Sequence, residues 1–180
     1  MKLFSPEGTI SRPITDRVKE SLFNVLYKYG LPAEKTVADL FCGVGSLGIE
    51  SLSRGASFVT FVEKDPKIIS VLKKNIEKAG FVKESLVLMA DAFKIGAPVD
   101  GQKYDLIFVD PPYLVTEDVG KGSQLNNLLN LLGRQSADVG FVVVRTHRRT
   151  ELLEQYGRFK VIERRQWGTM AVTILQAVAE

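Results

Sequence analysis

The chain has 180 residues, 45% hydrophobic and 25% charged, with a formal net charge of +3. This suits one globular domain with a proper core, and the mild positive charge permits nucleic-acid binding without demonstrating it. One cysteine and one histidine exclude an internal disulfide framework and give no reason to expect a metal site. No apolar run approaches the roughly 18 residues of a membrane span, and the opening residues lack the apolar core of a signal peptide. A cytoplasmic protein with no membrane association is therefore expected.

Residues 1–13 read as an extended lead-in containing Gly and Pro. From Thr15 to Tyr29, Val18, Leu22, Val25, Leu26 and Tyr29 recur at helical spacing, with Thr15 or Asp16 as the cap and Gly30-Leu31-Pro32 as the stop. The apolar run 37–41 predicts a strand, and Gly43, Gly45 and Gly48 follow it before a second helical stretch. Residues 57–62 predict another strand. Asp65-Pro66 then reads as an N-cap and first helical position, for a helix burying Ile68, Leu72, Ile76 and Ala79 and ending at Gly80. Strands are expected over 85–89, ending at Asp91, and over 104–109, ending at Asp110. Residues 114–122 form a polar, Gly-containing loop suited to a mobile lid. A leucine-rich helix over 123–132, a strand over 141–144 and a short helix over 150–156 follow. Strands over 159–163 and 170–175, joined through Trp167-Gly168, close the chain as an antiparallel hairpin. Alternating strands and helices imply an α/β fold, a mostly parallel sheet covered on both faces. The expected organisation is residues 1–35 packing on a core of residues 36–180, a single domain overall.

In such a sheet, ligands bind beyond the carboxyl ends of the strands. Asp39 with Gly43, Glu63, Asp91 and Asp110 stand at or near those ends on successive predicted strands. A strand, a tight glycine turn and a helix N-terminus make a seat for a nucleotide-like ligand, because glycines admit the ligand to the backbone and helix N–H groups face it. Glu63 suits the two hydroxyls of a ribose, and Asp91 an exocyclic amine such as that of adenine. Each acid alone is more often a solvated strand end, but together they favour a nucleoside.

Asp110-Pro111-Pro112-Tyr113 is the sharpest motif. Two prolines stiffen the turn and withhold two backbone donors, leaving carbonyl oxygens near them for a ligand. Asp110 adds a second acceptor and Tyr113 a flat ring, a combination suited to a planar amine such as a nucleobase amino group. The bland account is a proline turn with a surface tyrosine. Basic residues cluster at Arg12 and Arg17, at Arg145, Arg148 and Arg149, and at Arg164 and Arg165. Such clusters are usually solvated faces. Cys42 and His147 read as structural.

RPITDRVKESLFNVL (12–26), DLFCGVGSLGIESLSRGA (39–56) and FVDPPY (108–113), with Glu63 and Asp91, together resemble one family over about residues 2–175. The chain resembles the RsmD-type family of class I S-adenosylmethionine-dependent methyltransferases, with their Rossmann-like sheet, which methylate the N2 amino group of a guanine in small-subunit ribosomal RNA. The resemblance implies that Asp39 and the backbone of Phe41, Cys42, Gly43 and Gly45 hold the methionine part of S-adenosylmethionine. It also places Glu63 and Lys64 at the ribose, and Asp91 and Ala92 at the adenine. Asp110 and the Pro111 carbonyl would grip the guanine amine beside Pro112, with Tyr113 stacking on the base, and Arg12, Thr15 and Arg17 would shape the RNA-facing side. The implied partner is 16S ribosomal RNA, free or in an assembling particle, acted on by a monomer.

Two departures stand out. The family usually begins with a longer Gly- and Arg-rich arm, and its fifth strand usually ends in an acid where Arg145 stands here. Gly43-x-Gly45-x-x-Gly48 with Glu63 also fits an NAD-dependent dehydrogenase, a reading that leaves the Asp-Pro-Pro-Tyr motif unexplained. The same residues are compatible with a methyltransferase for another nucleobase amine, and with an RNA-binding module that makes no use of a cofactor.

Overall fold

A computed structural model describes residues 1–8, 14–98 and 101–179. Among them, eight strands form one sheet in the order β3-β2-β1-β4-β5-β8-β7-β6. The strands are β1 (Thr36–Leu40), β2 (Phe58–Glu63), β3 (Ser85–Met89), β4 (Tyr104–Val109), β5 (Ser136–His147), β6 (Gln155–Tyr156), β7 (Phe159–Trp167) and β8 (Met170–Ala177). Strands β1 to β5 run parallel, and β8, β7 and β6 continue the sheet antiparallel. This is the expected mostly parallel sheet with a closing hairpin. Helices α1 (Asp16–Tyr27), α2 (Ser46–Ser53), α3 (Pro66–Ala79), α4 (Ala92–Ile95) and α5 (Gln124–Gln135) cover it. No helix of the described residues is long and apolar enough to cross a membrane.

Strand periodicity sorts the core into two halves, because successive side chains point to opposite faces. Val37, Phe61, Leu106, Phe108 and Val143 pack with Leu22, Phe23 and Leu26 of α1 and with Leu72 of α3. Ala38, Val62, Ile107, Val109 and Val144 pack on the other face with Leu125, Leu128, Leu129 and Leu132 of α5. The same alternation gives Asp39, Glu63, Asp110 and Arg145 the parity of the first face. Asp39 lies opposite both Phe61 and Phe108 in register. Val109 lies opposite Val144, so the next pair along the two strands is Asp110 and Arg145.

Three local expectations change. Residues 150–156 are not helical: they run irregularly into β6, where buried Tyr156 donates to the Val119 carbonyl (2.8 Å) and accepts from the Leu153 N–H (3.0 Å). Tertiary bonds to one aromatic outweigh a weak local helical preference. Residues 114–122 are anchored rather than free. The 3₁₀ turn Tyr113–Thr116 buries Thr116, whose hydroxyl donates to the Tyr113 carbonyl (2.9 Å), while Thr150 donates to the Thr116 carbonyl (3.3 Å). In α3, Ile69 and Asn75 are buried and Ile68 is only half-buried. The Asn75 amide accepts from the Phe4 N–H (2.7 Å) and donates to the carbonyls of Phe4 (3.1 Å) and Val44 (3.0 Å). A polar residue inside the apolar stripe thus ties the N-terminal segment to the glycine turn.

Close packing between α2 and β2 depends on Gly48. A Cβ built there would stand 2.3 Å from Phe61 Cε1 and 3.0 Å from Asp39 Oδ2. Phe61 is fully buried and has no room to yield. Gly48→Ala should destabilise the fold by roughly 1–3 kcal/mol through overpacking. Urea unfolding checks it: a lower midpoint at unchanged slope is expected, and an unchanged midpoint would show that the helix shifts freely.

Candidate active site

The chain turns sharply after β1. Phe41 has φ 58°, a left-handed conformation that is costly for a residue with a side chain, and Gly43 and Gly45 follow at 55° and 91°. The Cys42 N–H donates to the Val62 carbonyl (3.2 Å) and the Gly45 N–H to the Cys42 carbonyl (2.9 Å). The Cys42 side chain packs in the core, and burial pushes its thiol well above the ordinary range. What this turn presents at its surface is therefore backbone. Open space surrounds the position where Gly43 would carry a Cβ.

Glu63, at the end of β2, is held at both oxygens. One accepts from the Gly43 N–H (3.1 Å) and the other from the N–H groups of Lys64 (2.9 Å) and Asp65 (3.0 Å). The Lys64 side chain is exposed, so its contribution here is its backbone. Asp91 caps α4 by accepting from the Phe93 N–H (3.0 Å), with Ala92 buried beside it. Phe93 meets Phe41 at 4.7 Å between ring centroids. That contact brings the end of β3 to the glycine turn. The short helix α4 carried no separate signal in the sequence.

Asp39 is buried, and its Oδ2 accepts from the Gly48 N–H at 2.8 Å. Burial raises its pKa to about 7, against the Gly48 bond, with Asp110 and Glu63 adding repulsion and Arg145 opposing it. These mutual influences place the four charges in one electrostatic neighbourhood. Asp110 Oδ1 accepts from Arg145 Nε at 2.6 Å, and the two side chains are only 19% and 17% exposed. Burial raises the Asp110 pKa, and the contact with Arg145 holds it down. The Pro112 carbonyl accepts from the Val115 N–H (3.0 Å), while no hydrogen bond to the Pro111 carbonyl occurs among the described residues. Tyr113 is half-buried and meets the His147 ring edge-on at 5.9 Å. His147 Nδ1 accepts from the Arg149 N–H (3.2 Å).

The basic and helix-start residues divide. Arg12 lies outside the described residues. Thr15 caps α1 by accepting from the Val18 N–H (3.3 Å), and Arg17 is exposed. Lys19 places this end of α1 beside the start of α2, through the Ser46 hydroxyl (3.5 Å) and the Glu50 carboxylate (3.6 Å). Arg164 and Arg165 are used internally, on the Arg148 carbonyl (2.7 Å) and on Glu163. A surface cavity of about 580 Å³ is lined by Lys103, Arg134, Asp138 and Arg158 at the other end of the sheet. None of the acids above touches it. Sequence reasoning missed the Arg145–Asp110 pair, the Tyr113–His147 contact and the Asn75 clamp. Only extending the strand register could have signalled the first.

The family model described as conserved hypothetical protein 95 matches residues 1–176. A Bacillus subtilis protein provisionally named as the rRNA methyltransferase YlbH is 35% identical over 176 residues, 93% of this chain and 88% of that one. Ribosomal RNA small subunit methyltransferase D of Escherichia coli is 39% identical over 114 residues, 62% of this chain and 54% of that one. A solved Escherichia coli structure, provisionally named as the methyltransferase yhhF, superposes with TM-score 0.81 at 30% identity. It covers 100% of this chain and 93% of that one.

The buried carboxyl of Asp39 should leave a thermodynamic signature. The native state keeps its proton up to about pH 7, whereas an unfolded Asp releases it near pH 3.8. Between those values the native state binds more protons, so this group's contribution to stability falls as pH rises and is flat above. The full span is on the order of 4 kcal/mol. Chemical denaturation should show Asp39→Asn gaining on wild type as pH rises from about 5 to 8, since only wild type must bury the charge. Parallel pH profiles would mean that Asp39 ionises normally.

Proposed function

The chain belongs to the family described as conserved hypothetical protein 95, and from that premise we propose that it transfers the methyl group of S-adenosylmethionine to the exocyclic N2 amino group of a guanine in small-subunit ribosomal RNA. The protein is an S-adenosylmethionine-dependent rRNA methyltransferase. The observation that carries the residue assignments is the convergence of Asp39, Glu63 and Asp110 on one face at the carboxyl edge of the sheet, with the free Pro111 carbonyl and Tyr113 alongside.

The residues present fit the cofactor. The backbone of Phe41 to Gly45 has the left-handed turns and open space to lie against it, and Asp39 supplies a buried carboxyl whose ionised form a methionine ammonium would stabilise. Glu63 is held by backbone donors in one orientation, suited to ribose hydroxyls, and Asp91 with Ala92 stands one strand further out for the adenine. When bound, S-adenosylmethionine supplies an electrophilic methyl carbon on a positive sulfur.

The chain's own task is to aim the amine. A guanine amino nitrogen is a poor nucleophile because its lone pair is delocalised into the ring. Hydrogen bonds from its two N–H groups to Asp110 and the Pro111 carbonyl localise that pair toward the methyl carbon. Tyr113 stacks on the base and fixes its plane, worth roughly 1–3 kcal/mol. Positioning of this kind supplies up to about 7–11 kcal/mol of a barrier. The base must leave its stack to reach these groups, so the target guanine lies in a loop or single strand. Arg12, Thr15 and Arg17 belong to the RNA-facing side. The enzyme acts as a cytoplasmic monomer, on the RNA alone or in an assembling particle.

Two experiments test these assignments. Asp110→Ala should keep cofactor affinity near wild type and slow single-turnover methylation by roughly 1.5–3 kcal/mol, about one to two decades. Methyl transfer at the wild-type rate would remove Asp110 from the site. Arg17→Ala should reduce the slope of log affinity for RNA against log salt by roughly 0.7–0.9, as for one lost phosphate contact. An unchanged slope returns Arg17 to a solvated face.

A further inference from the structure

Arg145 sits at the end of β5, where strand register sets it beside Asp110, and its Nε lies 2.6 Å from Asp110 Oδ1. Both side chains are mostly buried. The carboxylate therefore has one oxygen engaged by a cation that cannot lose its charge and one oxygen with no hydrogen bond among the described residues. Buried ion pairs of this kind fix orientation, and removing one partner leaves the other uncompensated. The neighbourhood sharpens the need. Asp39 on β1 is close enough to Asp110 and to Glu63 on β2 for both to raise its cost of ionising, and Arg145 is the cation that opposes them.

We propose that Arg145 is a positioning residue for methyl transfer: it clamps one oxygen of Asp110 so that the other faces the guanine amine as an ionised acceptor. This rests on the reading of Asp110 as an acceptor for that amine. Arg145 acts through Asp110 and touches neither reacting atom. Burial raises the pKa of the Asp110 carboxyl and the contact with Arg145 limits that rise, which favours the ionised form that accepts from an amine. Without the guanidinium, burial favours the protonated carboxyl, which offers the amine a worse partner.

The test uses Arg145→Met, Arg145→Lys, Asp110→Asn and the double variant Asp110→Asn/Arg145→Met. Single-turnover methylation of small-subunit ribosomal RNA is measured at saturating S-adenosylmethionine between about pH 6 and 9. Arg145→Met should be slower than wild type by roughly tenfold or more near neutral pH. The ratio of variant to wild-type rate should climb toward one as pH rises, because base restores the ionised acceptor. His147 beside Tyr113 is common to both proteins, so its influence cancels in the ratio. Arg145→Lys, which keeps the charge, should retain more activity, and cofactor affinity should stay within about twofold. In the Asp110→Asn background, Arg145→Met should have no further effect. A rate ratio flat with pH, or independent effects in the double variant, overturns the proposal.

A second readout is independent of activity. The Asp110 carboxyl carbon, followed by NMR, should titrate at higher pH in Arg145→Met than in wild type. Coincident titrations overturn the proposal whether or not methyl transfer is seen. Wild type that methylates no guanine N2 would sink the functional reading instead, with the carboxyl titration still deciding the role of Arg145.

Discussion

A carboxyl group buried in the middle of a parallel sheet is the constraint to which the rest of this molecule answers. Asp39 sits between two apolar strands and is almost wholly removed from water. Its one short bond runs to the N–H of Gly48, on the first turns of α2. That bond requires α2 to approach β1 and β2 closely, which only a residue without a Cβ permits against Phe61. The approach in turn forces the left-handed conformations at Phe41, Gly43 and Gly45. A costly charge, a strained turn and a missing side chain are thus one arrangement seen from three places. Such local losses concentrate where a protein binds or reacts.

The acids around Asp39 are tolerated by different means. Glu63 is solvated by backbone N–H groups from its own strand end and from the glycine turn. Asp91 spends one oxygen on the start of α4. Among the described residues, Asp110 alone of these acids has a side-chain cation. The difference has a structural cause: Asp110 precedes two prolines, which have no N–H to give. A residue from a neighbouring strand must then do what the backbone does elsewhere, and β5 is the strand in register.

The elements that were legible in the sequence are those whose signals are local. Thr15, Asp65 and Ser123 cap α1, α3 and α5, and glycine or proline stops mark several ends. Buried parallel strands announce themselves as short apolar runs, so β1, β2 and β4 were readable within a residue or two. The acids at their ends followed from strand alternation. What was not legible depends on partners far away in the chain. Arg145 stood out only as a departure from the family's acid, because its partner is fixed by the β4–β5 register, not by neighbouring residues. Asn75 carries no local signal of burial on α3, and the N-terminal segment and Val44 make it an interior position. Residues 150–156 carried a faint helical pattern that the bonds of Tyr156 override.

The anchoring of residues 114–122 bears on where motion enters the catalytic cycle. Thr116 is sealed into the fold, and Val119 and Thr116 lend their carbonyls to Tyr156 and Thr150. The lip beyond the Asp-Pro-Pro-Tyr motif is thus already set before any substrate arrives. Enzymes with a swinging cover spend a conformational step on each turnover, and that step often limits their speed. A fixed lip transfers the demand to the nucleic acid. The tempo of the reaction then follows how the RNA presents its target guanine, and the folding state of the RNA becomes a kinetic variable as much as a target.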